Sequence, residues 1–166
     1  NDPADSQHGK GYGHAIKTYA IAEAFSMTGL SELESKMDEC LDAMLISKKL
    51  GDTQRKLGGF TYSFGTNNSR NDLSLSAWCY QAMKACYTAG SSHKKLQGAI
   101  DKAITFLKGA TESENKFAYT YTGESFNNAA KLRPGCQSMV SAGTLCLQLL
   151  GEGNDPAIVG DLLEIS

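Results

Sequence analysis

Proline and histidine are both scarce in this chain of 166 residues, with three copies of each. His8, His14 and His93 fall in a tail, at a helix start and in a turn, so a Ser-His-Asp hydrolase triad is not to be assembled from them. Long apolar runs are missing as well: no stretch reaches the roughly 18 uninterrupted apolar residues that a membrane-spanning helix needs. Charge of one sign is not in excess, since 16 Lys+Arg stand against 18 Asp+Glu for a formal net charge of -2. That balance gives no electrostatic reason to expect nucleic acid or an anionic membrane as partner. The five cysteines, at 40, 79, 86, 136 and 146, are odd in number and contain no C-x-x-C pair, so buried free thiols are expected rather than a disulfide framework. Asn1 to Lys10 lacks the charged-then-apolar order of a signal segment. The chain opens on Asn1 rather than Met, which reads as a mature product or an excised piece and leaves the compartment open.

What the chain does have is internal repetition. Three small or apolar segments, ending Tyr19 to Gly29, Tyr80 to Gly90 and Ser141 to Gly151, close on glycines that stand 61 residues apart at both steps. A second helical pattern follows each glycine. The first runs from about 31 to 50 with Leu33, Met37, Leu41, Met44 and Leu45 at helical spacing, opened by Ser31-Glu-Leu-Glu34 as a capping box. The second runs from about 92 to 108 on Leu96, Ile100, Ile104 and Leu107, and the third starts at Asn154-Asp155-Pro156.

The helices before the glycines, about 13–28, 72–89 and 132–150, carry few charges and suit packing on several sides, so they are expected to be inner. Those after the glycines carry a charged face and are expected to be outer. Two long connections, 51–71 and 109–131, contain alternating aromatic runs, Phe60-Thr-Tyr62-Ser-Phe64 and Phe117-Ala-Tyr119-Thr-Tyr121, expected as strands or extended ribbons that plug the ends of the inner helices or, as the alternative of lower weight, line a ligand site at the mouth of a helical ring.

Gln54-Arg-Lys-Leu-Gly58-Gly59-Phe60-Thr-Tyr62, followed by Asp72-Leu-Ser-Leu-Ser76-Ala-Trp78, resembles the Q-x-x-x-G-x-W pattern of squalene–hopene cyclase and prenyltransferase repeats, with Phe60 where the pattern has Trp. The lead-in Tyr12-Gly-His14-Ala-Ile-Lys-Thr-Tyr is similar to the opening of bacterial prenyltransferase-like repeat proteins. The resemblance covers essentially the whole chain. It implies an all-α fold, an α/α toroid-like arc of about three helical hairpins with units near 12–50, 59–109 and 117–166. It also implies a lumen for which His14, Tyr62, Asp72, Trp78, Tyr119 and Tyr121 are the candidate lining.

Closed rings of this kind use roughly five or six hairpins, because repeats bury a face by stacking on neighbours. An arc of three is therefore expected to associate with itself, with another domain of a parent protein, or with sequence beyond this segment.

The family's catalytic clusters are not preserved at the matching positions. The zinc-binding Asp-x-Cys reads Asp72-Leu-Ser74, and a serine hydroxyl is a poor zinc ligand. Asp72 then serves as a helix N-cap. The Asp-x-Asp-Asp acid of terpene cyclases has no counterpart, and Asp38-Glu39-Cys-Leu-Asp42, which superficially matches an aspartate-rich magnesium motif, falls in phase with a solvated outer face. Pro134-Gly-Cys136-Gln137 sets Cys and Gln side by side, where an internal thioester needs them three apart. His14 is the one histidine placed to face a lumen, against a structural hydrogen-bonding role that has the greater weight.

The expectation is a non-catalytic repeat domain for ligand or protein binding and assembly, with no cofactor or metal and with an apolar small molecule as a candidate ligand. The alternative is an isoprenoid-handling enzyme of terpene cyclase or prenyltransferase type. A carbohydrate-active relative ranks last, because the inner helices offer few acids beyond Glu23 and Asp72.

Overall fold

Five of the expected helices are present, with boundaries that differ in places, and the expected third outer helix after Asn154 lies almost wholly outside the described residues. The structure is a computed structural model and describes residues 5–47, 51–52, 57–62, 70–112, 116–122, 130–133, 137–155 and 158. Its five described helices are α1 (Asp5–Thr28), α2 (Ser31–Leu45), α3 (Leu73–Thr88), α4 (Leu96–Ala110) and α5 (Gln137–Leu149). Seven short strands lie between them: β1 (Ile46–Ser47), β2 (Gly51–Asp52), β3 (Arg70–Asp72), β4 (Thr111–Glu112), β5 (Lys116–Phe117), β6 (Thr120–Thr122) and β7 (Ala130–Arg133). The fold is all-α, with small antiparallel pieces β1-β2, β4-β5 and β3-β6-β7 at the helix ends.

α1 and α3 share the most extensive helix contact, and α5 packs on the far side of α3, so the three pre-glycine helices stand in one row. α2 lies against α1, α4 against α3, and α2 and α4 touch each other behind the row. This follows from composition. α3, in the middle, buries Leu73, Leu75, Ser76, Ala77, Cys79, Tyr80, Ala82, Met83, Ala85 and Cys86 around nearly its whole circumference, whereas α4 buries one stripe, Leu96, Ala99, Ile100, Ala103, Phe106, Leu107 and Ala110.

Two of the three stop glycines, Gly90 and Gly151, end their helices in matching ways. Ser91 N–H donates to Cys86 O (3.0 Å) and Gly90 N–H to Tyr87 O (3.1 Å). Sixty-one residues on, Glu152 N–H donates to Leu147 O (2.9 Å) and Gly151 N–H to Gln148 O (3.2 Å). Gly90 and Gly151 have φ of 86° and 99°, and Gly29 has 66°, the left-handed region that a side chain disfavours. Gly58 is required for a second reason. At φ 101° it lies against α4 so closely that a Cβ would sit 2.0 Å from Lys102 O.

The turns after these glycines are tied to the preceding outer helix. Ser91 Oγ donates to Asp38 (2.8 Å) and His93 Nε2 bonds Asp42 (3.0 Å), which joins the α3–α4 turn to α2. Lys108 on α4 reaches Glu152 (2.8 Å) and Asp155 (3.4 Å). Asp38 and Asp42 are thus structural anchors for a turn. In the core, Phe60, Tyr80 and Phe106 stack edge to face, with centroids 6.2 and 6.4 Å apart, and Tyr80 donates its hydroxyl to Gly58 O (3.1 Å). Cys40, Cys79, Cys86 and Cys146 are buried free thiols, as the residue pattern predicts, and Cys136 lies outside the described residues.

Some helix boundaries differ from expectation. Residues 130–133 are strand β7, not the start of the third inner helix, which begins at Gln137. Arg133 precedes Pro134, and a residue before proline is driven to extended backbone. α4 begins at Leu96, four residues later than its apolar pattern suggests, because His93 O accepts Leu96 N–H (3.0 Å) and closes a turn first. Ser31 is already inside α2. The N–H groups of Leu33 and Glu34 go to Leu30 O at 2.9 and 3.3 Å, so the opening is a backbone turn and not the expected capping box. α1 also starts earlier than expected, at Asp5.

Candidate functional site

The start of α3 gathers the polar groups of four separate segments. Asp72 caps the helix: its backbone is extended (φ -121°, ψ 117°) and Oδ1 accepts Leu75 N–H at 3.2 Å. Ser74, two residues on, donates its hydroxyl to the same Oδ1 at 2.5 Å. Ser76 donates to Asp72 O (2.6 Å) and accepts Phe60 N–H (2.8 Å), which ties the first aromatic ribbon to this helix end.

Three tyrosine hydroxyls then converge on Ser74 Oγ: Tyr12 at 2.6 Å, Tyr62 at 3.3 Å and Tyr119 at 3.3 Å. Tyr62 and Tyr119 are 3.0 Å from each other. The Tyr12 and Tyr62 rings pack at 5.6 Å, tilted by 48°.

Proton counting orders this network. A serine hydroxyl has one proton and two acceptor lone pairs, and the proton goes to Asp72. Ser74 Oγ therefore accepts from Tyr12, and a second proton from the Tyr62–Tyr119 pair fills its other lone pair. Burial raises the Tyr62 phenol well above its usual range; hydrogen bonds with Tyr119 and Tyr12 and the nearby Asp72 charge push it further in that direction. The group is a set of hydroxyl donors closed on the buried side chain of Asp72. Its chemical work is to fasten α1 and both ribbons to α3.

Of the residues singled out by sequence, the structure brings Asp72, Tyr62 and Tyr119 together. Trp78 lies one turn beyond Ser74 on the same face of α3 and is 38% exposed. His14 turns away from this group. Its Nε2 lies 2.9 Å from the carbonyl of Cys40 on α2, and since a carbonyl only accepts, Nε2 carries the proton. His14 thus takes the structural hydrogen-bonding role that was given the greater weight, with α2 as its partner. Tyr121 sits in β6 opposite Asn71 of β3, and its side chain is outside the described ones.

Tyr12 was missed by sequence reasoning as a site residue. The repeat came within one residue of it: a step of 61 carries Tyr12 to Leu73, and the Tyr12–Ser74 bond sets the two helices level at a step of 62. α1 and α3 run in the same direction, since only then do both extend side by side from that bond. The same step sets Ile16 level with Trp78 and Tyr19 level with Gln81. Ile16 and Tyr19 are 44% and 37% exposed, so an open face with apolar and aromatic side chains adjoins the hydroxyl cluster. Glu23, one turn past Tyr19, raises the Tyr19 phenol through its charge and a hydrogen bond. Among the described residues no group of three or more His, Cys, Asp or Glu is placed to hold a metal ion.

No protein-family model, curated protein or solved structure matches this chain.

Proposed function

We propose that this chain is a non-catalytic helical repeat domain of the toroid type, which holds an apolar ligand or partner surface against the open face of α1 and α3. The observation that carries the reading is the state of Ser74. At the position where the resemblance calls for a zinc-binding cysteine stands a hydroxyl whose proton is given to Asp72 and whose lone pairs face tyrosine hydroxyls. Those groups knit segments together and leave no activated nucleophile. The exposed Ile16, Tyr19 and Trp78 beside them supply a binding face.

Trp78 is the one tryptophan of the chain, so its fluorescence reports on that face directly. Titration with isoprenoid alcohols and prenyl diphosphates, with and without Zn²⁺ or Mg²⁺, is expected to shift Trp78 emission without metal dependence and without product. Turnover of a prenyl diphosphate, or stoichiometric zinc carried through dialysis, overturns the non-catalytic reading. Binding that persists unchanged in both Ile16→Asp and Tyr19→Asp removes this face as its site.

A further inference from the structure

The open face does not end at α3. Trp78 stands two positions from Tyr80, which stacks on Phe106 of α4, and two residues turn about 200° around a helix, so Trp78 faces away from the outer layer. α5 repeats the relation. A Cβ on Gly143 would meet the ring of Phe117 at 2.6 Å, and Phe117 belongs to β5, which pairs with the β4 strand that follows α4. Leu147, one turn after Gly143, is fully buried. Leu145 is two positions from both, so it faces the same open side as Trp78, and it is 45% exposed. Its level follows from its neighbour, because Cys146 Sγ donates to Ala77 O at 3.8 Å. Ile16, Trp78 and Leu145 thus form one apolar band across all three helices of the row, with the half-buried Ala142 beside Leu145.

One edge of this band has a defined hydrogen-bonding sense. The hydroxyls of Tyr12, Tyr62, Ser74 and Tyr119 spend their protons within the group. Ser74 gives to Asp72, Tyr12 and one of the Tyr62–Tyr119 pair give to Ser74, and the remaining tyrosine gives to its neighbour. What is left to an incoming molecule is acceptor lone pairs on the phenol oxygens, that of the half-buried Tyr12 among them. The neighbouring cations are directed elsewhere. His14 is bonded to Cys40 O, and Lys84 lies over the Tyr87 ring at 5.4 Å. Gly11, against Leu75, and the buried Ala15 mark the α3 side of α1, and Lys17, two positions past Ala15, is on the side away from it. A carboxylate or phosphate only accepts, so it finds no complement at this edge, whereas a hydroxyl does.

We propose that the ligand of this face is a long-chain alcohol, whose hydroxyl gives its proton to the phenol oxygen of Tyr12 and whose chain lies over Ile16, Trp78 and Leu145. The inference rests on the open face being a binding face, and it adds a third helix to that face and a required chemistry to the head group of what it binds.

Titration of Trp78 emission with decanol, methyl decanoate and decanoate, each below its solubility or micelle limit, tests the proposal. The ester has neither a proton to give nor a charge, so it separates donation from charge. Decanol is expected to bind about fivefold or more tightly than the ester, which is the value of about one net hydrogen bond. Decanoate is expected to bind more weakly than decanol. These ratios are read on the unaltered chain and need no variant. Tyr12→Phe is expected to abolish the difference between alcohol and ester. Leu145→Asp, at an exposed position, is expected to weaken both about tenfold with unchanged helical circular dichroism. An ester or a decanoate that binds as tightly as decanol, a preference for decanol that survives Tyr12→Phe, or binding untouched by Leu145→Asp overturns the proposal and leaves the face of α1 and α3 standing. No response to any of the three ligands overturns that face and the proposal together.

Discussion

Ser74 has one proton to give, and the carboxylate of Asp72 takes it. Replacing it by alanine leaves the Tyr12 hydroxyl without its 2.6 Å acceptor and Asp72 without a charged-group hydrogen bond. Ser74→Ala is therefore expected to cost about 1–3 kcal/mol, read from urea unfolding. Tyr62 gives the network a pH dependence of known sign. Its folded phenol titrates above the unfolded one, so its stabilisation is complete below the ordinary phenol range and is lost as pH rises through the elevated folded value. Ultraviolet titration should show phenolates that form later than those of an unfolded control, and Tyr62→Phe should remove one of them while that of the buried Tyr80 stays. Gly58→Ala combines a positive φ with a backbone contact of 2.0 Å, and is expected to destabilise by about 3 kcal/mol or more. Much of this was legible in the residues. Asp72, Tyr62 and Tyr119 stood out by motif and ribbon, and Gly58 by its place in the repeat signature. Tyr12 did not, because its partner is 62 residues away and the 61-residue repeat step points to the neighbouring Leu73.

At the level of elements, charge pattern set the row α1, α3 and α5 apart from α2 and α4, because a helix buried on several sides tolerates few ionised groups. The ribbons were harder to place. Their strands are two to four residues long, too short for an alternating pattern to fix register, and β6 pairs not only with the nearby β7 but with β3 from a distant part of the chain. β7 was hidden behind good helix formers, Ala-Ala-Lys-Leu, and only the proline after Arg133 signalled extended backbone. The polar ties between layers are secondary to burial. Lys108 is 44% exposed in its ion pairs, and Lys108→Ala is expected to cost no more than about 1 kcal/mol. Leu107, next to it and fully buried, is expected to cost about 2–5 kcal/mol when cut to alanine. Thermal or denaturant unfolding of the pair distinguishes the two contributions.

At the scale of the molecule, the four thiols among the described residues are kept out of reach. Burial raises Cys86 and Cys146 to about 12, and raises Cys79 further, so near neutral pH these groups stay as unreactive thiols. With Cys136→Ser to remove the thiol outside the described residues, a disulfide reagent is expected to label the native chain only at the rate at which it opens. Fast labelling of any of the four would contradict the packing of α3 between α1, α5 and the outer helices. The row of pre-glycine helices also sets how the chain must fold. Its main seams, α1 on α3 and α3 on α5, join residues about one repeat apart, with a long connection between each pair of helices. Each seam therefore closes a loop of some sixty residues before it gains any burial. Helical content should rise early in refolding, while the Tyr12–Ser74 bond and the change in Trp78 emission arrive together in a slower, later phase.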